Sequence, residues 1–160
     1  MRFSDLGLQT QLLATLDELG YQTPTPIQQA AIPEVLAGRD VLAGAQTGTG
    51  KTAAFALPLI QRYLTDQSPH NAIRVLVLTP TRELAQQVHQ SFVAYSQDTG
   101  LRCVVAYGGA SINPQIEALK QGCEVMVATP GRLLELVIKE LIDLSTLQTL
   151  VLDEADRMLD

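Results

Sequence analysis

The sequence predicts an α/β fold with a mostly parallel sheet flanked by helices. Two observations predict it. Short runs rich in apolar and β-branched residues recur at positions 40–45, 73–79, 102–106, 124–128 and 149–152. Helical patterns separate them, at 52–65, 83–97, 113–121 and 132–139. Strands alternating with helices imply parallel pairing with helices on both faces. An unbroken apolar run such as Val75-Leu76-Val77-Leu78 fits a strand covered on both sides. Two further helical patterns, 9–19 and 26–36, precede the first strand, with Gly20 and Gly38 closing them as C-terminal caps.

Composition limits what the chain does. An apolar fraction of 46% and a mean hydropathy of +0.13 exclude a disordered polymer. No apolar run approaches the roughly 18 residues of a membrane span, and Met1-Arg2-Phe3-Ser4-Asp5 carries no signal-peptide core. We therefore expect no membrane partner. Cys103 and Cys123 lie in or beside strand-like stretches and form no CxxC pair, which suits buried thiols in a reducing cytoplasm. His70 and His89 have no metal-ligand spacing. The 11 basic against 17 acidic residues leave a net charge of −6, so a broad basic nucleic-acid surface is excluded. Contact with a nucleic acid must be local, through a few arginines and helix N-termini.

Ala45-Gln46-Thr47-Gly48-Thr49-Gly50-Lys51-Thr52 follows the first strand pattern and runs into a helix. Gly48 and Gly50 permit backbone angles that let the loop amides converge on phosphate. Lys51 reaches the β and γ phosphates, and the Thr52 hydroxyl suits Mg2+. Ala45 stands where the general phosphate-loop pattern has glycine. Downstream, Leu150-Val151-Leu152 delivers Asp153 and Glu154 to the end of a strand. Asp153 is a second candidate for Mg2+, and Glu154 is a candidate general base for the attacking water. The pair of segments, in this order, points to hydrolysis of a nucleoside triphosphate.

Thr25-Pro26-Ile27-Gln28 has two readings. One is a capping box, with Thr25 capping the helix and Gln28 reaching back. The other is recognition of an adenine edge by the Gln28 amide. Tyr21 either stacks on that base or packs in the core. A repeated plan also stands out. Thr79-Pro80-Thr81-Arg82 and Thr129-Pro130-Gly131-Arg132 each join a strand to a helix. Each brings an arginine to a helix N-terminus at the carboxyl edge of the sheet, where open α/β sheets bind ligands. Such a row of positive ends suits a phosphodiester backbone.

These segments, in this order, resemble the DEAD-box family of ATP-dependent RNA helicases, whose signature stands here as Asp153-Glu154-Ala155-Asp156. The resemblance covers essentially the whole chain. Phe3 resembles the family's upstream aromatic, and Gly20-Tyr21 through Gln28 its adenine-reading motif. Residues 45–52 match its phosphate loop, which itself begins with alanine. Pro80, Thr81 and Arg82, Gly108 and Gly109, and Thr129, Pro130, Gly131 and Arg132 resemble its RNA-backbone motifs. Gly108-Gly109 with Ser111-Ile112-Asn113-Pro114-Gln115 looks most like the bacterial RhlE-like subgroup.

The resemblance implies a RecA-like phosphate-loop fold binding ATP with Mg2+ and RNA as single strand or short duplex. It divides the chain into a helical region, 1–38, and a phosphate-loop core, 39–160. It also implies a second RecA-like lobe, a Ser-Ala-Thr motif and arginine fingers that this sequence does not contain. On that reading the chain stops inside the first lobe, leaving open the sheet position between the phosphate-loop strand and the Asp-Glu strand. Two other readings stay open: a phosphate-loop ATPase acting on DNA, and a nucleotide- or partner-binding module without turnover.

Overall fold

The structure, a computed structural model, describes residues 1–40, 50–66 and 72–158. Most of the first expected strand, the loop residues Gln46, Thr47, Gly48 and Thr49, and the surface loop 67–71 lie outside the described residues. The chain falls into two compact units, Met1–Gln67 with Ala94–Gly100, and Ser68–Val93 with Leu101–Asp160.

In the first unit a short 3₁₀ turn, Phe3–Leu6, leads to three helices: α1 (Thr10–Glu18), α2 (Pro26–Leu36) and α3 (Lys51–Thr65). The first two end as the glycines predict. Gly20 and Gly38 take left-handed backbone angles, and their amides bond to Asp17 and Val35. The amides of Tyr21 and Arg39 reach back to Leu16 and Glu34, completing the paired closure of a Schellman end. α2 packs against α3. Leu12, Leu16, Ile32, Leu57 and Ile60 are fully buried in this unit, each stabilising it by roughly 1.5–3 kcal/mol through leaving water.

The second unit alternates strand and helix as expected: β1 (Val75–Leu78), α4 (Arg82–Tyr95), β2 (Cys103–Ala106), α5 (Ile112–Lys120), β3 (Val125–Ala128), α6 (Pro130–Ile138) and β4 (Thr149–Leu152). The sheet runs β2-β3-β1-β4, with every pair parallel. Leu78 is level with Ala128 and with Leu152. The strands therefore end together, and residues 79, 129 and 153 leave from one edge.

Leu76, Met126, Ala128 and Ala106 form the core with Leu136 of α6, backed by Ile112, Ile116 and Leu119 of α5. β3 is central and buried at all four positions. β4 pairs only with β1 among the described residues and alternates between half-buried and exposed. A final turn, α7 (Ala155–Met158), and the opening 3₁₀ turn are too short to show helical periodicity in the sequence.

Candidate functional site

Gln28 links two elements of the first unit. Its Oε1 accepts the Thr25 amide at 2.9 Å, and its own amide donates to Thr25 Oγ1 at 3.4 Å. The capping box is therefore formed. The same side chain donates from Nε2 to the Gly50 carbonyl at 3.2 Å and is only 3% exposed. Beyond these partners among the described residues, the side chain has one amide hydrogen and one Oε1 lone pair more. Gly50 takes φ +85°. A Cβ there would stand 2.6 Å from Gln28 Nε2 and 2.9 Å from Thr25 Oγ1, so both conformation and space require glycine. Lys51 and Thr52 follow as the first two residues of α3, half-buried at its positive end.

Tyr21 is packed, yet open on one side. Its hydroxyl meets that of Tyr95 at 2.7 Å, with the rings edge-on at 5.8 Å. Phe3, buried, lies 6.4 Å from the Tyr21 ring. Tyr21 remains 37% exposed. Phe3 thus lies behind Tyr21, which keeps the more exposed ring.

In the second unit Asp153 leaves the end of β4, 4% exposed, its amide bonded to the Leu78 carbonyl at 2.8 Å. Thr79 leaves β1 at the same level; its hydroxyl is buried with no hydrogen-bond partner among the described residues. A buried carboxylate and a buried hydroxyl at the same level of neighbouring strand ends are oxygen donors of the kind that fits Mg2+, which takes one or two carboxylates and completes its shell with water and phosphate. Among the described residues no group of three or more His, Cys, Asp or Glu could hold a metal alone.

Glu154 follows with φ +53°, a left-handed angle that costs a non-glycine residue about 1–2 kcal/mol. Such a cost is tolerated where a side chain must be aimed. Its carboxylate pairs with Arg157 at 3.3 Å.

β1 and β3 are neighbours, so the two strand-to-helix joints stand side by side. Their threonines do not act alike. In the first joint Thr81, not Thr79, accepts the Leu84 amide at 3.2 Å, and Pro80 lies ahead of the helix. In the second, Pro130 opens α6, and the Thr129 hydroxyl accepts the Gly108 amide at 3.3 Å instead of capping the helix. Outside its chain neighbours and its own helix backbone, Gly131 has no described heavy atom within 4 Å of where a Cβ would stand. Gly109 has φ +80°.

The arginines differ too. Arg82 is exposed, its guanidinium 5.3 Å from the centre of the Tyr107 ring. The Arg132 side chain is 10% exposed and bonded to Gln115 and Ala110. Tyr107 and Gln115 carry no role in the sequence reading. A signal for Gln115 exists, since it is a polar residue on the inward side of an amphipathic helix.

The cysteines stay outside the site. Burial pushes the Cys123 thiol up to about 12, with the Glu124 carboxylate adding to it. Burial raises Cys103 well above its ordinary value.

A Gly50-Lys51-Thr52 helix start in the first unit and, in the second, a strand ending in Asp153-Glu154 are features that nucleotide-hydrolase domains carry. The family model for the DEAD/DEAH box helicase matches residues 25–160, and the chain belongs to that family. Its parallel sheet with flanking helices is the family's RecA-like fold. The chain is 48% identical over 157 residues to the RNA helicase CrhR of Synechocystis, covering 98% of this chain and 31% of the relative. It is 44% identical over 160 residues to the DEAD-box ATP-dependent RNA helicase CshA of Streptococcus pneumoniae, covering 100% and 30%. It is 50% identical over 158 residues to the ATP-dependent RNA helicase DeaD of Escherichia coli, covering 98% and 25%. The chain thus spans less than a third of these relatives. They are bacterial but carry other names, so the RhlE-like likeness of residues 108–115 gains nothing from them. No helix among the described residues is long and apolar enough to cross a membrane.

Proposed function

We propose that this chain is the ATP-binding lobe of an ATP-dependent RNA helicase, coupling ATP hydrolysis to RNA binding and local duplex unwinding. The observation that carries the reading is the order β3-β1-β4. The two joints bearing Thr-Pro and an arginine follow β3 and β1, and β1 lies directly beside the strand that ends in Asp153-Glu154. A backbone-binding edge and a hydrolytic pair therefore share one end of one sheet, which is the minimum wiring for coupling them.

In this reading Gln28 and Tyr21 receive adenine, with Phe3 behind Tyr21. The amides of Gln46, Thr47, Gly48, Thr49 and Gly50 cradle the phosphates, and Lys51 neutralises β and γ oxygens. Thr52 and Asp153 hold Mg2+, which when bound offsets the charge on the phosphate oxygens. Glu154 orients the attacking water and takes its proton. Pro80, Thr81, Arg82, Gly108, Gly109 and residues 129–132 build the RNA edge, some by touching RNA and others by holding the residues that do. A second RecA-like lobe supplies the other wall of both sites, and the cytoplasm is the setting. The closeness to proteins named RNA helicases supports this reading.

Strand displacement tests it. The full-length protein should separate a short RNA duplex with ATP and fail to do so with GTP. Nucleotide binding without hydrolysis or displacement would instead favour a binding module, and preference for DNA a translocating ATPase.

A further inference from the structure

Arg82 and Arg132 occupy matching positions in the sequence, but only one of them faces outward. Arg132 Nη1 donates to Gln115 Oε1 at 2.8 Å, and Nη2 donates to the Ala110 carbonyl at 3.0 Å. Its Nε lies 3.2 Å from the Glu135 carboxylate. Gln115, itself buried, donates from Nε2 to the Tyr107 carbonyl at 3.1 Å. The two ends of the turn 107–110 are therefore held by one connected chain: Tyr107, Gln115, Arg132, Ala110. Thr129 holds the middle by accepting the Gly108 amide. Space beside Gly108 is open: apart from its chain neighbours, no heavy atom among the described residues lies within 4 Å of where its Cβ would stand. The turn is fixed from inside and bare outside.

The same turn holds Arg82. Its guanidinium lies over the Tyr107 ring, and Nη1 is 3.5 Å from the Gly109 carbonyl. Gln86 Nε2 donates to the Tyr107 hydroxyl at 3.1 Å, fixing the ring that Arg82 leans on. A cation over an aromatic face is attracted to it yet keeps donors for another partner.

We infer that Arg132 is a positioning residue, not a phosphate ligand. With Gln115 it clamps the turn 107–110 so that Gly108, Gly109 and, through Tyr107, Arg82 meet the sugar-phosphate backbone in one fixed arrangement. This rests on the RNA-binding reading above. It makes a distinction that charge counting misses. A side chain that neutralises a phosphate releases counterions and sets the salt slope. A side chain that only holds the turn changes affinity at every salt concentration alike.

The test uses the full-length protein and a fluorescent single-stranded oligouridine, titrated across salt concentrations. Arg82→Ala should lower affinity and flatten the log–log slope by about 0.7, the share of one phosphate on a single strand. Gln115→Leu, which changes no charge, should weaken binding several-fold with the slope kept. Arg132→Gln should do the same. A slope that flattens by about 0.7 in Arg132→Gln as well would overturn the inference, as would undiminished affinity in Gln115→Leu.

Amide hydrogen exchange supplies a readout without RNA. Exchange at residues 108–110 should speed up about tenfold or more in Gln115→Leu and Arg132→Gln, and not in Arg82→Ala. Unchanged exchange in both would also overturn the clamp. Absence of RNA binding by the unsubstituted protein would sink the RNA reading, and the clamp's role with it, whatever the exchange shows.

Discussion

The Gln28 side chain donates to the Gly50 carbonyl at 3.2 Å while its oxygen accepts the Thr25 amide, so one buried amide ties the first turn of α2 to the glycine that opens α3. The two readings of Gln28 are thereby compatible, since its partners among the described residues take up one amide hydrogen and one oxygen lone pair and a glutamine amide has two of each.

Gln28→Ala should erase the preference for ATP over GTP, a discrimination worth roughly 1–3 kcal/mol for a paired amide contact. It should also cost part of the capping contribution, about 0.5–2 kcal/mol, without unfolding α2. Calorimetric titration with both nucleotides checks this. An unchanged preference would leave Gln28 as a cap only.

Gly50→Ala adds a Cβ 2.6 Å from Gln28 Nε2, at a left-handed φ. It should lower stability by about 1–2 kcal/mol from the backbone angle alone and weaken ATP binding, because the Thr25-Gln28 pair must move. A variant with both thermal midpoint and ATP affinity unaltered would contradict the account of this contact.

Glu154→Gln should retain ATP binding and lose about 10²–10⁴-fold in turnover, the usual worth of a positioned general base. Lys51→Ala should instead weaken binding itself. Steady-state hydrolysis near normal in Glu154→Gln would remove Glu154 from the role of base.

The thiols give a pH dependence. An unfolded cysteine titrates near about 8.5, whereas burial holds Cys123 protonated up to about 12. The folded state therefore binds the proton longer. The stability this gives is complete below the unfolded value and is lost as pH rises toward about 12, by up to about 1.4 kcal/mol per pH unit. Cys123→Ala should flatten the alkaline fall in denaturation free energy. An equally steep fall would mean other groups cause it.

Much of this is legible in the sequence, for physical reasons. β1 and β3 are unbroken apolar runs because both faces of each are covered. Gly20 and Gly38 mark helix ends because only glycine takes the left-handed angle cheaply. The ends of β1, β3 and β4 are legible because Thr-Pro and Asp-Glu interrupt the apolar runs there. What the sequence does not reveal is which of two similar arginines turns inward. That depends on Gln115, which lies 17 residues from Arg132 and meets it only in the fold. Nor does spacing disclose that Thr129 serves Gly108 instead of its own helix, or that Glu154 takes a left-handed angle. Tertiary contacts decide each of these.

The central claim is that nucleotide hydrolysis and RNA binding are coupled on one sheet edge. The most direct measurement is the steady-state ATP hydrolysis rate of the full-length protein against rising concentrations of single-stranded RNA, with single-stranded DNA of the same sequence alongside. The account predicts a rate that rises and saturates with RNA, stays low with DNA, and collapses in Glu154→Gln. A rate indifferent to RNA, or raised equally by DNA, would contradict it.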